Sequence, residues 1–412
     1  MGSEMCIRDR SSTAAASALG VAAAVLLVGC PRVGGRAVGG ARVAGTARAA
    51  QLGALVDSPR TAETLARVDT VVLCRTGTVT TGVRSLAAVH VAQGVVADEA
   101  LRIAGAVASA GRKAGGATGG HPIGAIIADA ARDRFGELPG VAEFDGYPAL
   151  GVRGIVTELQ IGSGDEPRVL AHAALVGRVA LLTAHGIALP DELAAAVTTV
   201  HAAGATAVAV SWDGLARAVL EVTDPLRAGA PEAAHALREL GLSAVLLTGD
   251  DTGAAHGLAA ALGIEEVLAD VASVDRGTVV ARLREAGRTV AVVGGPADQV
   301  ALADADVALL RPGSERPGAV ALDDDPLTAV DALRLARATA RTVERTLTGA
   351  AAYHLVVLPA AVAGLLPPLA AAAAAVAFPV GVLLHATALR RIRALPRPDP
   401  TAPGTDLGVT CR

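Results

Sequence analysis

The sequence has no asparagine and a single lysine, Lys113, so arginine carries nearly all of the positive charge. Such bias is the mark of GC-rich coding, and an arginine where relatives use lysine then carries no functional message by itself. With one Trp, two Tyr and three Phe, the 52% apolar content is almost wholly Ala, Val and Leu. There is no basic excess either: the formal net charge of −4 at pH 7 leaves no electrostatic footprint for nucleic acid. Cys6, Cys30, Cys74 and Cys411 are too few and too scattered for a disulfide framework or a zinc knuckle. A chain this apolar is not a disordered one, and 412 residues allow two or three domains. Part of the apolar excess is therefore expected in a membrane.

Two stretches carry no charge. From Ser11 to Pro31 the chain is long enough to cross a hydrocarbon core of about 30 Å as a helix. Cys30-Pro31-Arg32 ends it, the proline breaking the hydrogen-bond ladder. From Thr346 to Leu389 the uncharged run is about twice what one crossing needs. Gly364 and Pro367-Pro368 divide it, so a helical hairpin is expected. Arg337, Arg341 and Arg345 precede that run and Arg390, Arg391 and Arg393 follow it, which by the positive-inside rule puts both ends, and the block between the crossings, in the cytoplasm. Met1–Arg10, MGSEMCIRDR, is unlike the text that follows and resembles a translated library adaptor; it is set aside from fold reasoning. The proline-rich tail from Leu395 has no periodicity and is expected to be disordered.

Between the uncharged stretches, short Val-rich runs (Thr70–Leu73, Ala205–Val210, Ala244–Leu247, Thr289–Val293) alternate with helical patterns (Ala230–Leu240, Ala254–Leu262, Thr278–Ala286). This alternation predicts an α/β fold with a parallel sheet, whose ligands gather at the carboxyl ends of the strands. Three strand ends carry small, hydroxylic or acidic groups: Cys74-Arg75-Thr76-Gly77-Thr78, Thr248-Gly249-Asp250, and Gly294-Gly295-Pro296-Ala297-Asp298-Gln299.

In order and spacing these motifs resemble those of P-type ATPases of the heavy-metal-transporting branch. The family has Asp-Lys-Thr-Gly-Thr at the first, Thr-Gly-Asp at the second and Gly-Asp-Gly-x-Asn-Asp at the third. His121-Pro122 matches a His-Pro pair of the family's nucleotide domain, Gly151 to Gly154 the end of its glycine-rich turn, and Asp224-Pro225-Leu226-Arg227 the return into the phosphorylation domain. The resemblance runs from about Val21 to Arg393. It implies a HAD-like parallel-sheet phosphorylation domain with an inserted α+β nucleotide-binding domain, flanked by transmembrane helices. The expected boundaries are 1–10 non-native, 11–49 first membrane helix and exit, 50–84 and 219–335 phosphorylation domain, 85–218 nucleotide-binding domain, 336–393 membrane hairpin and 394–412 tail. It further implies ATP and Mg²⁺ as cofactors, membrane lipid and a nucleotide as partners, and a place in the plasma membrane of a bacterium with a GC-rich genome. The family's actuator domain is not found in the sequence.

The departures shape the functional expectation. The family's aspartate attacks the γ-phosphate of ATP, with Mg²⁺ held by that carboxylate and by the first hinge aspartate. Here those positions are Cys74 and Gly295, so the Mg²⁺ site is expected to be impaired. Cys74 is either a nucleophile of its own or a small residue replacing a lost group. Thr76, Thr248 and Asp250 are retained, and Arg276 stands where the family has a phosphate-facing lysine; phosphate recognition or helix capping would each keep them. Asp298 stands at the family's Asn position. His121, Gly151 and Gly154 are the nucleotide-side candidates, with Gly120 and Ala149 replacing a Glu and a Gly. The transport site, by resemblance, would be Cys30, Tyr353 and His354, but Arg32 and Val376 replace a metal-binding thiol and a thioether, making a heavy-metal cation a doubtful passenger. The expected reading is an inactive portion or pseudo-pump; an active transporter with altered chemistry and a functionless remnant are the alternatives.

Overall fold

A computed structural model describes residues 18–29, 32–114, 122–161 and 167–398. Along the chain, α1 (Ala18–Val28), α2 (Arg32–Gln51), β1 (Ala54–Val56) and α3 (Pro59–Arg67) lead into β2 (Thr70–Cys74). There follow β3 (Ser85–Val91), α4 (Ala97–Ala114), α5 (Pro122–Phe135), β4 (Gly140–Tyr147), β5 (Gly151–Ile161), β6 (Pro167–Gly177), α6 (Val179–Ala184), α7 (Asp191–Ala202), β7 (Thr206–Trp212) and β8 (Leu215–Thr223). Next come α8 (Ala230–Glu239), β9 (Ser243–Leu247), α9 (Thr252–Leu262), β10 (Glu266–Leu268), α10 (Arg276–Glu285), β11 (Val290–Gly294) and α11 (Gln299–Ala303). The chain closes with β12 (Val307–Leu310), β13 (Val320–Leu322), α12 (Pro326–Val362) and α13 (Pro368–Thr387). Two compact units result, one of Asp69–Ala305 and one that joins the residues up to Val68 to Asp306–Asp399.

In the first of these units, β11, β2, β9 and β10 lie side by side, all parallel. Their continuous Val/Leu runs suit strands covered on both faces, and β2 and β11 are buried throughout. Register aligns the ends: Cys74 pairs with Leu247, and Val293 with Leu73. Between β2 and β9 the chain inserts a six-stranded antiparallel sheet in the order β3-β8-β7-β6-β5-β4. Helices α4 and α5 bury Ile103, Val107 and Ile127 against one face with Trp212 and Leu220. On the other, Leu181 of α6 and Leu193 and Val200 of α7 pack with Val219. The parallel pattern read into Ala205–Val210 is corrected here, since β7 pairs antiparallel with both β6 and β8. Strand β8 runs on to Thr223, five residues past the expected end of the insert at 218.

Helix α7 of the insert lies against α9 through glycines. A Cβ on Gly253 would sit 2.3 Å from His201 Nδ1, and one on Gly257 would sit 1.9 Å from the His201 carbonyl oxygen. Only hydrogen at these positions permits so close an approach.

In the other unit, β13 is flanked by β1, antiparallel, and β12, parallel. Asp325 caps α12 by accepting the Leu327 N–H, and Pro326 occupies its first turn. Gly364, at φ +72°, ends the helix and Pro367-Pro368 opens α13, so the hairpin turns where the sequence places it. Helix α2 packs on α12 and α13; a Cβ on Gly45 would come within 2.1 Å of Thr339 Oγ1. Among the described residues one helical stretch, Pro368–Arg391, is long and apolar enough to cross a membrane, and α1 is apolar but shorter. The first expected crossing, Ser11 to Pro31, falls partly outside the described residues. The start of the tail departs from the expectation of disorder. Arg397 pairs with Asp325 and Asp331, and the Leu395 N–H donates to Asp331 at 3.2 Å, because Asp331 is a carboxylate buried to 1% exposure that needs donors.

The seam between α7 and α9 predicts that Gly257→Ala lowers stability by about 2 kcal/mol through overpacking against backbone. Urea unfolding followed by far-UV circular dichroism checks this through a lower midpoint.

Candidate functional site

Cys74 is the last residue of β2 and is fully buried. The chain then makes a tight turn in which Gly77 adopts φ +72°, a conformation that suits glycine. Arg75 leaves this turn buried, at 3% exposure, and forms an ion pair with Asp250. Its other contacts reach the insert, the Thr206 hydroxyl and the Gly204 carbonyl, each at 3.5 Å.

Asp250 follows β9. Its carboxylate accepts the Thr248 hydroxyl, and its N–H donates to Thr248 Oγ1 at 3.2 Å. Burial alone would raise its pKa, but the Arg75 guanidinium and the Thr248 hydroxyl outweigh it and hold the carboxyl below the ordinary 3.8. Asp251 caps α9 through the Ala254 N–H and faces His201 at 3.4 Å.

The second pair sits at the end of β11. Asp298 is 2% exposed; one oxygen pairs with Arg276 at the start of α10, the other accepts the Gly295 N–H at 3.1 Å. Its charge also acts on the Cys74 thiol at the end of β2. Burial pushes that thiol well above its usual range, Asp298 pushes the same way, and Arg276 only partly offsets them. Gly295 has an ordinary extended backbone, φ −108°, and a Cβ built on it meets nothing within 4 Å. The third strand end thus lacks a side chain but keeps room for one.

The Thr76 hydroxyl accepts from Arg84 at 2.7 Å. Arg84 in turn lies 3.6 Å from Asp224, which takes the Thr80 hydroxyl at 2.8 Å and the Gly82 N–H at 2.9 Å. Asp224 was read from the sequence as part of the return into the phosphorylation domain, whereas Arg84 was not singled out. A second unforeseen residue, Arg178, donates to the Gly249 carbonyl and pairs with Asp270, tying the insert to the loop after β9.

In the insert, Gly151 has φ +150° and a Cβ there would lie 2.4 Å from the Val176 carbonyl oxygen; one on Gly154 would lie 2.6 Å from Val141. Both glycines thus serve close strand packing. Ala149, at the family's first glycine position, is held at φ +62°. His121 lies outside the described residues. In the helical unit, Tyr353 stacks on Phe378 at 4.7 Å between ring centres, and His354 Nδ1–H donates to the Ala350 carbonyl at 2.7 Å. Cys30 lies outside the described residues. Among the described residues no group of three or more His, Cys, Asp or Glu is arranged to hold a metal ion.

A sequence profile of haloacid dehalogenase-like hydrolases matches residues 68–306, more than half of the chain, and the parallel sheet with its convergent strand ends fits that class. The probable copper-exporting P-type ATPase V of Mycobacterium tuberculosis is 35% identical over 377 residues, covering 90% of this chain and 46% of that protein. The cation-transporting P-type ATPase B of Mycobacterium bovis is 36% identical over 374 residues, covering 88% and 46%. A crystal structure of a zinc-transporting PIB-type ATPase in the E2.Pi state matches with a TM-score of 0.60 at 26% identity, over 88% of this chain and 57% of that one. Within the haloacid dehalogenase-like class, the chain belongs to the heavy-metal P-type ATPase family and corresponds to its C-terminal portion. It spans about half the length of the curated relatives it matches. Their names lend no support to the expectation that a heavy-metal cation is a doubtful passenger.

The buried Arg75–Asp250 pair predicts an acid-sensitive share of stability. Because the native carboxyl titrates below 3.8, the contribution is complete at neutral pH and is lost as pH falls through the lowered native value. Asp250→Asn therefore costs about 3 kcal/mol near neutrality, and its deficit relative to the parent chain narrows below pH 3.8, as read from urea midpoints across pH. Ala149→Gly relieves the left-handed conformation and raises the unfolding midpoint, by up to about 1 kcal/mol.

Proposed function

We propose that this chain is the phosphorylation, nucleotide-binding and C-terminal membrane portion of a pump relative that no longer forms an aspartyl phosphate. The observation that carries this reading is a fully buried Cys74 thiol at the strand end where the family's resemblance implies an aspartate, beside an Asp298 carboxylate that Arg276 already neutralises. A thiol kept protonated is a poor nucleophile. The donor set does not fit Mg²⁺, which demands several oxygen ligands. Cys74 offers sulfur, Gly295 offers no side chain, and Asp250 and Asp298 are matched to guanidinium groups. Two internal ion pairs thus occupy the carboxylates of this site, Asp250 of the retained Thr-Gly-Asp and Asp298 at the family's Asn position.

The remaining finer readings are also proposals. The phosphorylation domain takes 50–84 and 219–335, the nucleotide-binding domain 85–218, and the hairpin 336–393. Nucleotide affinity is weakened, since Ala149 replaces a glycine of the turn. The chain is integral to a bacterial plasma membrane, with the block between the apolar helices in the cytoplasm. This role is regulatory or binding rather than catalytic, and no net cation transport follows from it.

The test is incubation of the chain, and of any longer protein that carries it, with γ-labelled ATP and Mg²⁺, followed by acid quench. No labelled band is expected. An acid-stable, hydroxylamine-labile phosphoenzyme overturns the reading. The paired substitution Cys74→Asp with Gly295→Asp, which the open space at 295 accommodates, is expected to restore Mg²⁺ binding measured by calorimetry.

A further inference from the structure

The arginines of α12 and of the segment after α13 fall into two groups. Arg334 pairs with Asp331, Arg337 donates to the Val68 carbonyl, and Arg397 pairs with Asp325 and Asp331. The five nearest the uncharged run, Arg341, Arg345, Arg390, Arg391 and Arg393, are exposed and have no partner among the described residues. Between Ala332 and Pro398 the sequence holds one carboxylate, Glu344, also exposed and without a partner among the described residues, so the group is strongly cationic. The matched guanidinium groups lie away from the apolar helices and the unmatched ones lie at their edge.

Packing brings the two sets of unmatched arginines to one level. Ala338 and Val343 of α12 pack with Ala386, Leu389 and Ile392, so the turn carrying Arg390 and Arg391 abuts the turn of α12 that carries Arg341. Beside it an open hollow of about 400 Å³ is lined by Arg341, Glu344, Arg345 and Thr348. A guanidinium offers a planar fork that matches phosphate oxygens, and long arginine stems reach from an apolar helix to the headgroup layer. Anionic leaflets attract such juxtamembrane charges.

Resting on the membrane reading above, we propose that Arg341, Arg345, Arg390, Arg391 and Arg393 form a docking belt for the phosphodiester headgroups of anionic lipid. A lipid phosphate, rather than free phosphate, is favoured because the cations form a layer bordering the apolar helices instead of a closed pocket.

The test reconstitutes the whole chain in vesicles of phosphatidylcholine mixed with phosphatidylglycerol, then extracts it gently and measures retained lipid by mass spectrometry. Phosphatidylglycerol is expected to be enriched on the order of tenfold over its share of the mixture. Substituting all five arginines by glutamine brings the enrichment close to unity, whereas lysine at the same positions preserves most of it and shows that the fold is intact. Inorganic phosphate is expected not to compete. Equal enrichment in the glutamine variant, or displacement by inorganic phosphate, overturns the belt. Release of the chain from pure phosphatidylcholine vesicles by alkaline carbonate overturns the membrane reading instead, and this proposal with it.

Discussion

A guanidinium with almost no water around it must be matched, and the site is organised by that requirement. Arg75 follows directly on β2, so its charge is committed to whatever lies beyond the neighbouring strand, and Asp250 stands there because β2 and β9 run parallel in register. The same logic repeats across β11, where Arg276 and Asp298 satisfy one another. Removing one member of such a pair leaves an unpaired charge in a poorly solvated site, whereas the intact pair contributes far less than its Coulomb attraction suggests. The pairs therefore hold the loops in place more than they stabilise the fold.

Much of this was legible in the sequence. Short apolar runs ending in small, hydroxylic and acidic residues marked β2, β9 and β11, and parallel pairing brought Cys74, Thr248 and Gly295 to one edge without further information. The helix break at Gly364 and the restart at Pro367-Pro368 were equally readable, since both residues act through their own backbones. The partners of long side chains could not be read. Nothing local ties Arg75 to Asp250, Arg178 to the Gly249 carbonyl, or Arg84 to Asp224, because each contact depends on the insert's placement. The alternating pattern around Ala205–Val210 misled for a related reason: a strand buried on both faces reads alike in parallel and antiparallel sheets. The residues from Leu395 to Pro398 were misread because their order comes from Asp331, a carboxylate remote in sequence.

The insert and the parallel sheet are held to one another by polar contacts and by glycines together. Arg178, His201 and Arg75 cross between them, and Gly253 and Gly257 remove the side chains that would hold α7 away from α9. Polar contacts can exchange for water at modest cost, but a seam that relies on missing side chains is either closed or filled with solvent. That gives the insert a preferred seat rather than a continuous range of positions.

The empty space at Gly295 bears on how such a site changes over time. Catalytic carboxylates crowded at strand ends repel one another and tax the stability of the proteins that keep them. A glycine at such a position adds no repulsion, and at Gly295 the backbone is relaxed and a Cβ would meet no neighbour within 4 Å. A first side-chain carbon at 295 therefore meets no obstacle, and what a carboxylate there would face is a matter of charge.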